Sequence, residues 1–399
     1  MFYPKQEITT LMSILVGARL SSAFTLYRNR PLATSTKLLN WGKPTRIFAS
    51  TATASARANS SGDMKSSSTD DEYSTLTLLE HVNLNIPDHA YALPFYGDLL
   101  GFGLDPRRAA NVEKGSGTVW MNCGASQFHL PFGEEAQTIP GSIGLIYSSL
   151  EPLKNRLKEE LAKEANADER CFLESEVGVD ERTGQEYVKL VDRYNNTFFA
   201  RKNLDGISPP GKDQGLKQPL VTKSDNDEFG EVASKYGMDE SECVGISYVE
   251  FLVPPKTASS IAEFYESVLD ATVSVVQIEE GIEIAIVAFG KIDENGRSDQ
   301  TVLFREKEGF EVPPYDGHHI SMYVGVDAKD FEASFKNCNT AGVIWVNPRF
   351  SDKAVNLNNA KIYKQYRFKN ILNIRNGKKI FELEHEIRSV NHQSYPGSN

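Results

Sequence analysis

One segment of the chain occurs twice. Leu84–Phe102 reads L-N-I-P-D-H-A-Y-A-L-P-F-Y-G-D-L-L-G-F, and Phe251–Leu269 reads F-L-V-P-P-K-T-A-S-S-I-A-E-F-Y-E-S-V-L. Each is a strand, a proline-containing break and an amphipathic helix with the pattern F-Y-x-x-x-L. Phe95, Tyr96 and Leu100 in the first copy, and Phe264, Tyr265 and Leu269 in the second, fall on one helical face and are core residues. A repeated supersecondary unit that cannot bury its apolar face alone must stack on its fellows, so the chain is constrained to a modular fold.

Two further units fit between and after these. Ser142–Ser149 is an apolar strand, and Glu151-Pro152 opens a helix with Leu153, Leu157 and Leu161 one turn apart, proline being tolerated in a first turn. Strands follow at Glu186–Asp192 and Thr197–Lys202 across Asn195-Asn196. The third unit continues with strands at Ala271–Gln277, Glu283–Phe289 and Gln300–Phe304, with a turn at Asn295-Gly296. The fourth has a strand at His319–Val326, a helix at Asp330–Asn337, and strands at Val343–Val346, Tyr366–Ile374 and Lys379–Ile387. Each unit is β-α-β-β-β, and the fold class is α+β. The expected organisation is a pair of modules at 77–204, a polar linker rich in Gly, Pro, Asp and Lys at 205–244, and a second pair at 245–392.

The first 75 residues differ. Between Glu7 and Asp63 there is no acidic residue, and arginines and lysines sit among Ser, Thr and Ala. This is the composition of an organelle-targeting leader, with a plastid as the expected address and a mitochondrion as the alternative. The net charge of −11 argues against sequence-independent nucleic-acid binding. No run is apolar and long enough to span a membrane. Cys123, Cys171, Cys243 and Cys338 lie far apart without a C-x-x-C, as befits reduced, packed thiols.

Two hairpins carry the chemistry. After the Asn376-Gly377 turn, G-K-K-I-F-E-L-E-H-E-I-R-S alternates with period two, so Ile380, Glu382 and Glu384 share a face and His385 faces away. An earlier stretch, G-A-S-Q-F-H-L-P-F from Gly124, has the same form and sets His129 on Glu382. Each hairpin delivers a metal-capable side chain five residues after its turn glycine.

Four βαβββ units with F-Y-x-x-x-L helices and inward His and Glu resemble the vicinal oxygen chelate (VOC) superfamily. Glyoxalase I, extradiol ring-cleaving dioxygenases and methylmalonyl-CoA epimerase belong to it. The resemblance implies two half-open barrels, each made of two modules, with a metal held by first-strand and last-strand residues. Carried over by position, the first-strand ligands are His81 and His319, the latter preferred to its neighbour His318, and the last-strand ligands are His129 and Glu382. The corresponding positions of units two and three, near Ile143, Phe199, Tyr248 and Leu303, offer no good ligand, so a second cup is left without metal. All seven histidines fall in units one and four. Pairing these two gathers His81, His129, His319 and Glu382 around one divalent ion (Fe, Zn, Ni, Mn or Co).

A four-ligand set implies a glyoxalase- or epimerase-type lyase or isomerase that chelates a small substrate and works through an enolate-like intermediate, with Glu382 or His129 shuttling the proton. The alternatives are an Fe(II) extradiol-type dioxygenase using His81, His319 and Glu382, and a non-catalytic small-ligand-binding protein. A monomer or a homodimer is compatible with this arrangement.

Overall fold

The computed structural model describes residues 72–163, 170–180, 184–203, 241–292 and 297–395. All lie in one compact unit, Asn40–Asn399. Most of the expected leader, most of the linker and the Asn295-Gly296 turn lie outside the described residues.

Module one is preceded by β1 (Glu72–Tyr73) and contains β2 (Leu76–Asn83), α1 (Leu93–Leu99), β3 (Gly103–Leu104), α2 (Ala110–Lys114), β4 (Thr118–Cys123) and β5 (Ser126–Pro131). Module two contains β6 (Gly141–Tyr147), α3 (Glu151–Ala162), β7 (Phe172–Val179), β8 (Glu186–Asp192) and β9 (Thr197–Lys202). Module three contains β10 (Cys243–Val253), α4 (Ala258–Leu269), β11 (Val273–Glu279), β12 (Ile282–Ile292) and β13 (Ser298–Glu306). Module four contains β14 (His319–Val324), α5 (Ala328–Thr340), β15 (Ile344–Trp345), α6 (Leu357–Tyr363), β16 (Gln365–Leu372) and β17 (Lys379–Ser389). The four βαβββ units are therefore present. β1 lies inside the stretch expected as leader, where Glu72 pairs with Ile292 of β12.

The modules combine as one with four and two with three. One sheet has eight strands in the order β15-β16-β17-β14-β2-β5-β4-β3. The other has nine, in the order β1-β12-β13-β10-β6-β9-β8-β7, with β11 on β12. Within each module the first and last strands are parallel neighbours (β2 with β5, β6 with β9, β10 with β13, β14 with β17). The two modules of a sheet meet through antiparallel first strands, β2 with β14 and β6 with β10.

The F-Y-x-x-x-L residues are core: Phe95, Tyr96, Leu100, Phe264, Tyr265 and Leu269 are all at most 1% exposed. Burying one such ring contributes about 2 kcal/mol. The first copy is wound as a π-helix, Leu100 N donating to Phe95 O at 3.0 Å. In α3 Pro152 sits in the first turn, and Leu153 and Leu157 are buried while Leu161 is exposed. β7 is invisible to periodicity because it is an outermost strand whose side chains are nearly all exposed or half-exposed. Gly124 shows how tightly the two sheets meet: its φ is +70°, and a Cβ there would lie 2.0 Å from Val244 O. Among the described residues no helix is long and apolar enough to cross a membrane. The four cysteines are free and buried.

Candidate metal centre

The eight residues of β2 are all buried, yet they include Glu80, His81 and Asn83. The antiparallel ladder explains why. Ser321 pairs with His81 but Met322 pairs with Leu79, so Glu80 is an extra residue in β2, a β-bulge. A bulge breaks the alternation and re-aims a side chain. Glu80 is thereby turned to the same side as His81, and its Oε2 lies 3.0 Å from His81 Nδ1. Ser321 Oγ and Tyr323 OH donate to the same carboxylate at 3.3 and 3.2 Å.

Three buried side chains, His81, His319 and Glu386, bring one ligand-capable atom each to within 4.8 Å of one another. Glu386, not the expected Glu382, is the carboxylate. The ladders give the reason. On β5, Gln127 pairs with His81, and His129 lies two residues further on. On β17, Glu384 pairs with His319, and Glu386 lies two residues further on. His129 and Glu386 are thus the equivalent last-strand positions. The β17 arm has 11 residues and β5 has six, so counting from the turn glycine stops four residues, roughly 13 Å, short. Gly377 does make the turn, with φ +71°, but Glu382 near it is half-buried and paired with Lys369 and Lys379 at 2.5 and 2.7 Å. Burial opposes its charge, and the two lysines outweigh burial and hold its carboxyl below the usual range.

His129 is near the group without joining it. Its ring stacks on His81 at 3.7 Å between centroids and on Trp120 at 4.6 Å. Gln127 Nε2 donates to Asp105 Oδ2 at 3.0 Å, which turns Gln127 Oε1 toward His129 Nε2, also at 3.0 Å. His129 therefore carries its proton on Nε2 and its lone pair on Nδ1. Burial, reinforced by the neighbouring His81 and Arg388, pushes its pKa well below the ordinary histidine value.

His318 belongs to a different environment, with Nδ1 2.6 Å from Asp316 Oδ1 and its ring against Phe251. His385 is a core histidine, stacked on Phe368 and 2.5 Å from Tyr265 OH. His89 is 2% exposed, with Nε2 3.1 Å from Leu130 O.

The carboxylates are held by two buried arginines. Arg388 bonds Glu386 and Glu80. Arg367 bonds Glu386, and reaches Glu384 at 2.8 Å and Asp352 at 3.0 Å. Burial opposes ionisation of Glu386 and Glu80, but the arginines and histidines outweigh it and hold both below the usual carboxylate range. For Glu384 burial prevails and its carboxyl is raised, despite Arg367 and the two bonds from Asn347 Nδ2.

The donor set suits a divalent cation on two counts. His81 Nε2 and His319 Nδ1 are buried with no protein partner, and a buried ring nitrogen left unpaired is costly. With Glu80 on His81 Nδ1, the lone pair of that ring falls on Nε2, the arrangement in which a carboxylate orients a metal-binding imidazole. The carboxylates of Glu80, Glu384, Glu386 and Asp352 are bonded by the guanidiniums of Arg367 and Arg388. Asn83 Nδ2, in register with both His129 and His319, is a third buried nitrogen without a protein partner.

The second cup offers no such group among the described residues. Tyr248 lies opposite Gly144 and Thr301, with burial pushing its hydroxyl up to about 12. Glu250 is bound in bidentate fashion by Arg305 at 3.0 and 2.9 Å.

No protein-family model and no curated protein matches the chain. Solved structures similar to it include glyoxalase I from Zea mays, at 10% identity and a TM-score of 0.45 over 78% of this chain and 92% of that one. They also include 2,2',3-trihydroxybiphenyl 1,2-dioxygenase from Sphingomonas wittichii, at 12% identity and a TM-score of 0.25 over 79% and 90%.

Proposed function

We propose that modules one and four form a divalent-metal site of the two-histidine, one-carboxylate kind, held by His81, His319 and Glu386. We further propose that the protein is a VOC-type enzyme acting on a small substrate with two adjacent oxygens. The observation that carries this reading is the buried triad itself, His81 with its Nε2 unpaired and His319 with its Nε2 3.7 Å from the carboxylate of Glu386. Three protein ligands leave positions open, and this set suits Fe(II) oxygen chemistry. An extradiol-type dioxygenase is therefore preferred to the four-ligand lyase, since His129 stands beside the triad and not within it.

A bound metal in such a cup supplies a Lewis acid for adjacent substrate oxygens or, as Fe(II), a centre for oxygen activation. The chain's own residues do the rest. Glu80 fixes the tautomer and angle of His81. Arg367 and Arg388 keep Glu386 ionised and in place. Asn83 has an amide hydrogen to offer a substrate oxygen. His129, held neutral and with its tautomer set by Gln127, presents a lone pair at Nδ1 that can accept a hydrogen bond from a substrate hydroxyl. The buried walls of β2 and β14 exclude water and strengthen each of these interactions.

Anaerobic loading with Fe(II), followed by oxygen uptake on a panel of catechols, tests the reading. Uptake that His81→Ala and Glu386→Ala abolish is the expected result. A protein that binds metal tightly but consumes no oxygen, and instead exchanges a substrate α-proton with solvent deuterium in a His129-dependent way, would establish the lyase or isomerase reading instead.

A further inference from the structure

The connector between β15 and α6 is built onto the mouth of the metal cup. Asn347 anchors one end: its Nδ2 donates to the two oxygens of Glu384 at 3.1 and 2.9 Å. Its Oδ1 accepts from Arg349 N at 2.9 Å, which sets the backbone of Arg349 in an Asx turn. Asp352 fastens the other end to Arg367 at 3.0 Å. Between them Phe350 lays its ring on the Arg367 guanidinium at 4.2 Å and meets His319 edge-on at 5.8 Å.

Arg349 reaches across this mouth from module four to module one. Leu84 and Ile86 are core residues, so by alternation Asn83 and Asn85 share the cup face. Arg349 Nη1 lies 3.5 Å from Asn85 Oδ1. Its guanidinium therefore sits one strand step, roughly 6.6 Å, beyond Asn83, the residue in register with His319 and His129. The charge is close enough to act on His319. Arg367 and Arg388, deeper in the cup, are each bonded by carboxylates. Arg349 is exposed, and among the described residues no carboxylate pairs with it. Its one long contact is to a neutral amide, so most of its planar fork is open to a carboxylate.

We propose that Arg349 is a specificity-determining residue of the metal cup and binds a carboxylate on the substrate. The proposal rests on the reading of the cup as a site for a substrate with two adjacent oxygens, and adds that the substrate is an acid. The two oxygens meet the triad, an aromatic ring lies beside Phe350, and the carboxylate takes the Arg349 fork. One strand step is about the reach of a single substituted ring, so 3,4-dihydroxybenzoate is the simplest molecule with both groups in place.

The test is calorimetric titration of the full chain, loaded anaerobically with Zn(II), with 3,4-dihydroxybenzoate and with its neutral amide. The acid is expected to bind about tenfold more tightly, the low end for a hydrogen bond to a charged group, because the mouth is exposed. Arg349→Gln should bring the ratio of the two affinities close to one. Arg349→Lys should keep part of it, since the charge stays and the fork goes. Arg108→Gln removes another exposed cation, one that lies over Trp120 at 4.6 Å, and should leave the ratio at its wild-type value. Equal binding of acid and amide by the wild type, a ratio that survives Arg349→Gln, or a ratio lost in Arg108→Gln instead would each overturn the role of Arg349 and leave the cup itself standing. Binding of neither compound to the metal-loaded protein would overturn the cup reading as well.

Discussion

Glu80→Gln isolates what the bulge in β2 contributes. The carboxylate lies 3.0 Å from His81 Nδ1, accepts from Ser321 and Tyr323 and is bonded by Arg388. Truncation to alanine would leave Arg388 short of a buried partner, a loss of about 3–5 kcal/mol that would obscure the result. Glutamine keeps the volume and, with its oxygen toward His81, Ser321 and Arg388, an acceptor for His81; it removes the charge and sets an NH2 group against the Tyr323 hydroxyl, which can accept. Loss of an outer partner of a metal-bound histidine costs about 10- to 100-fold in affinity. Because the amide oxygen still accepts from Nδ1, the lower end applies: roughly tenfold, or about 1.4 kcal/mol. Competition of a chromogenic chelator for Zn(II) at neutral pH measures it, with a urea melt of the apo-protein as the control for folding. Affinity unchanged within about twofold, in a background where Glu386→Gln weakens binding by more than tenfold, would refute the idea that Glu80 acts through His81.

Further expectations follow from the same structure. Divalent metal at about 100 times its dissociation constant should stabilise the wild type by about 2.7 kcal/mol; calorimetry should show the shift in Tm, and His319→Ala should lack it. Gly124→Ala puts a Cβ 2.0 Å from Val244 O at a positive φ, so it should lower stability by more than about 2 kcal/mol in urea, whereas a surface control such as Glu135→Ala should stay within about 0.5 kcal/mol. Asp192 is buried, and burial, only partly offset by hydrogen bonds from Asn196 and Tyr194, raises its carboxyl from 3.8 to about 6. Its folded pKa lies above its unfolded value, so the stability it confers is complete below pH 4 and is lost as pH rises through about 6. That loss approaches 3 kcal/mol, and stability curves of Asp192→Asn against wild type should differ in slope over this window.

What the sequence disclosed, and what it withheld, follows from strand pairing. The F-Y-x-x-x-L helices mark the modules because helical spacing is a local property. That His81 and His319 lie together was legible because each stands on the first strand of its module, where the sequence around one matches the other. The concentration of histidines in modules one and four pointed to the pairing that β2 and β14 make. That Glu386 and not Glu382 stands beside the two histidines was not legible, because register between β14 and β17 depends on the length of the hairpin arm, which turn residues do not encode. Counting from Gly377 chose the right face of β17 and the wrong step along it. Glu80 was missed for a second reason: strict alternation sends it away from His81, and only the bulge, set by pairing with a strand some 240 positions away, brings it back. A Glu beside a candidate ligand His on a strand rich in Leu and Val was the available signal, since a carboxylate buried there needs a partner.

The most direct test of the central claim is metal analysis by mass spectrometry of the full chain after reconstitution. Wild type would be compared with His81→Ala, His319→Ala, Glu386→Ala and Glu382→Ala. The account predicts about one metal per chain in wild type and in Glu382→Ala, and little in the other three. Metal lost in Glu382→Ala but kept in Glu386→Ala would contradict the assignment of the carboxylate, and no metal in the wild type at all would contradict the site.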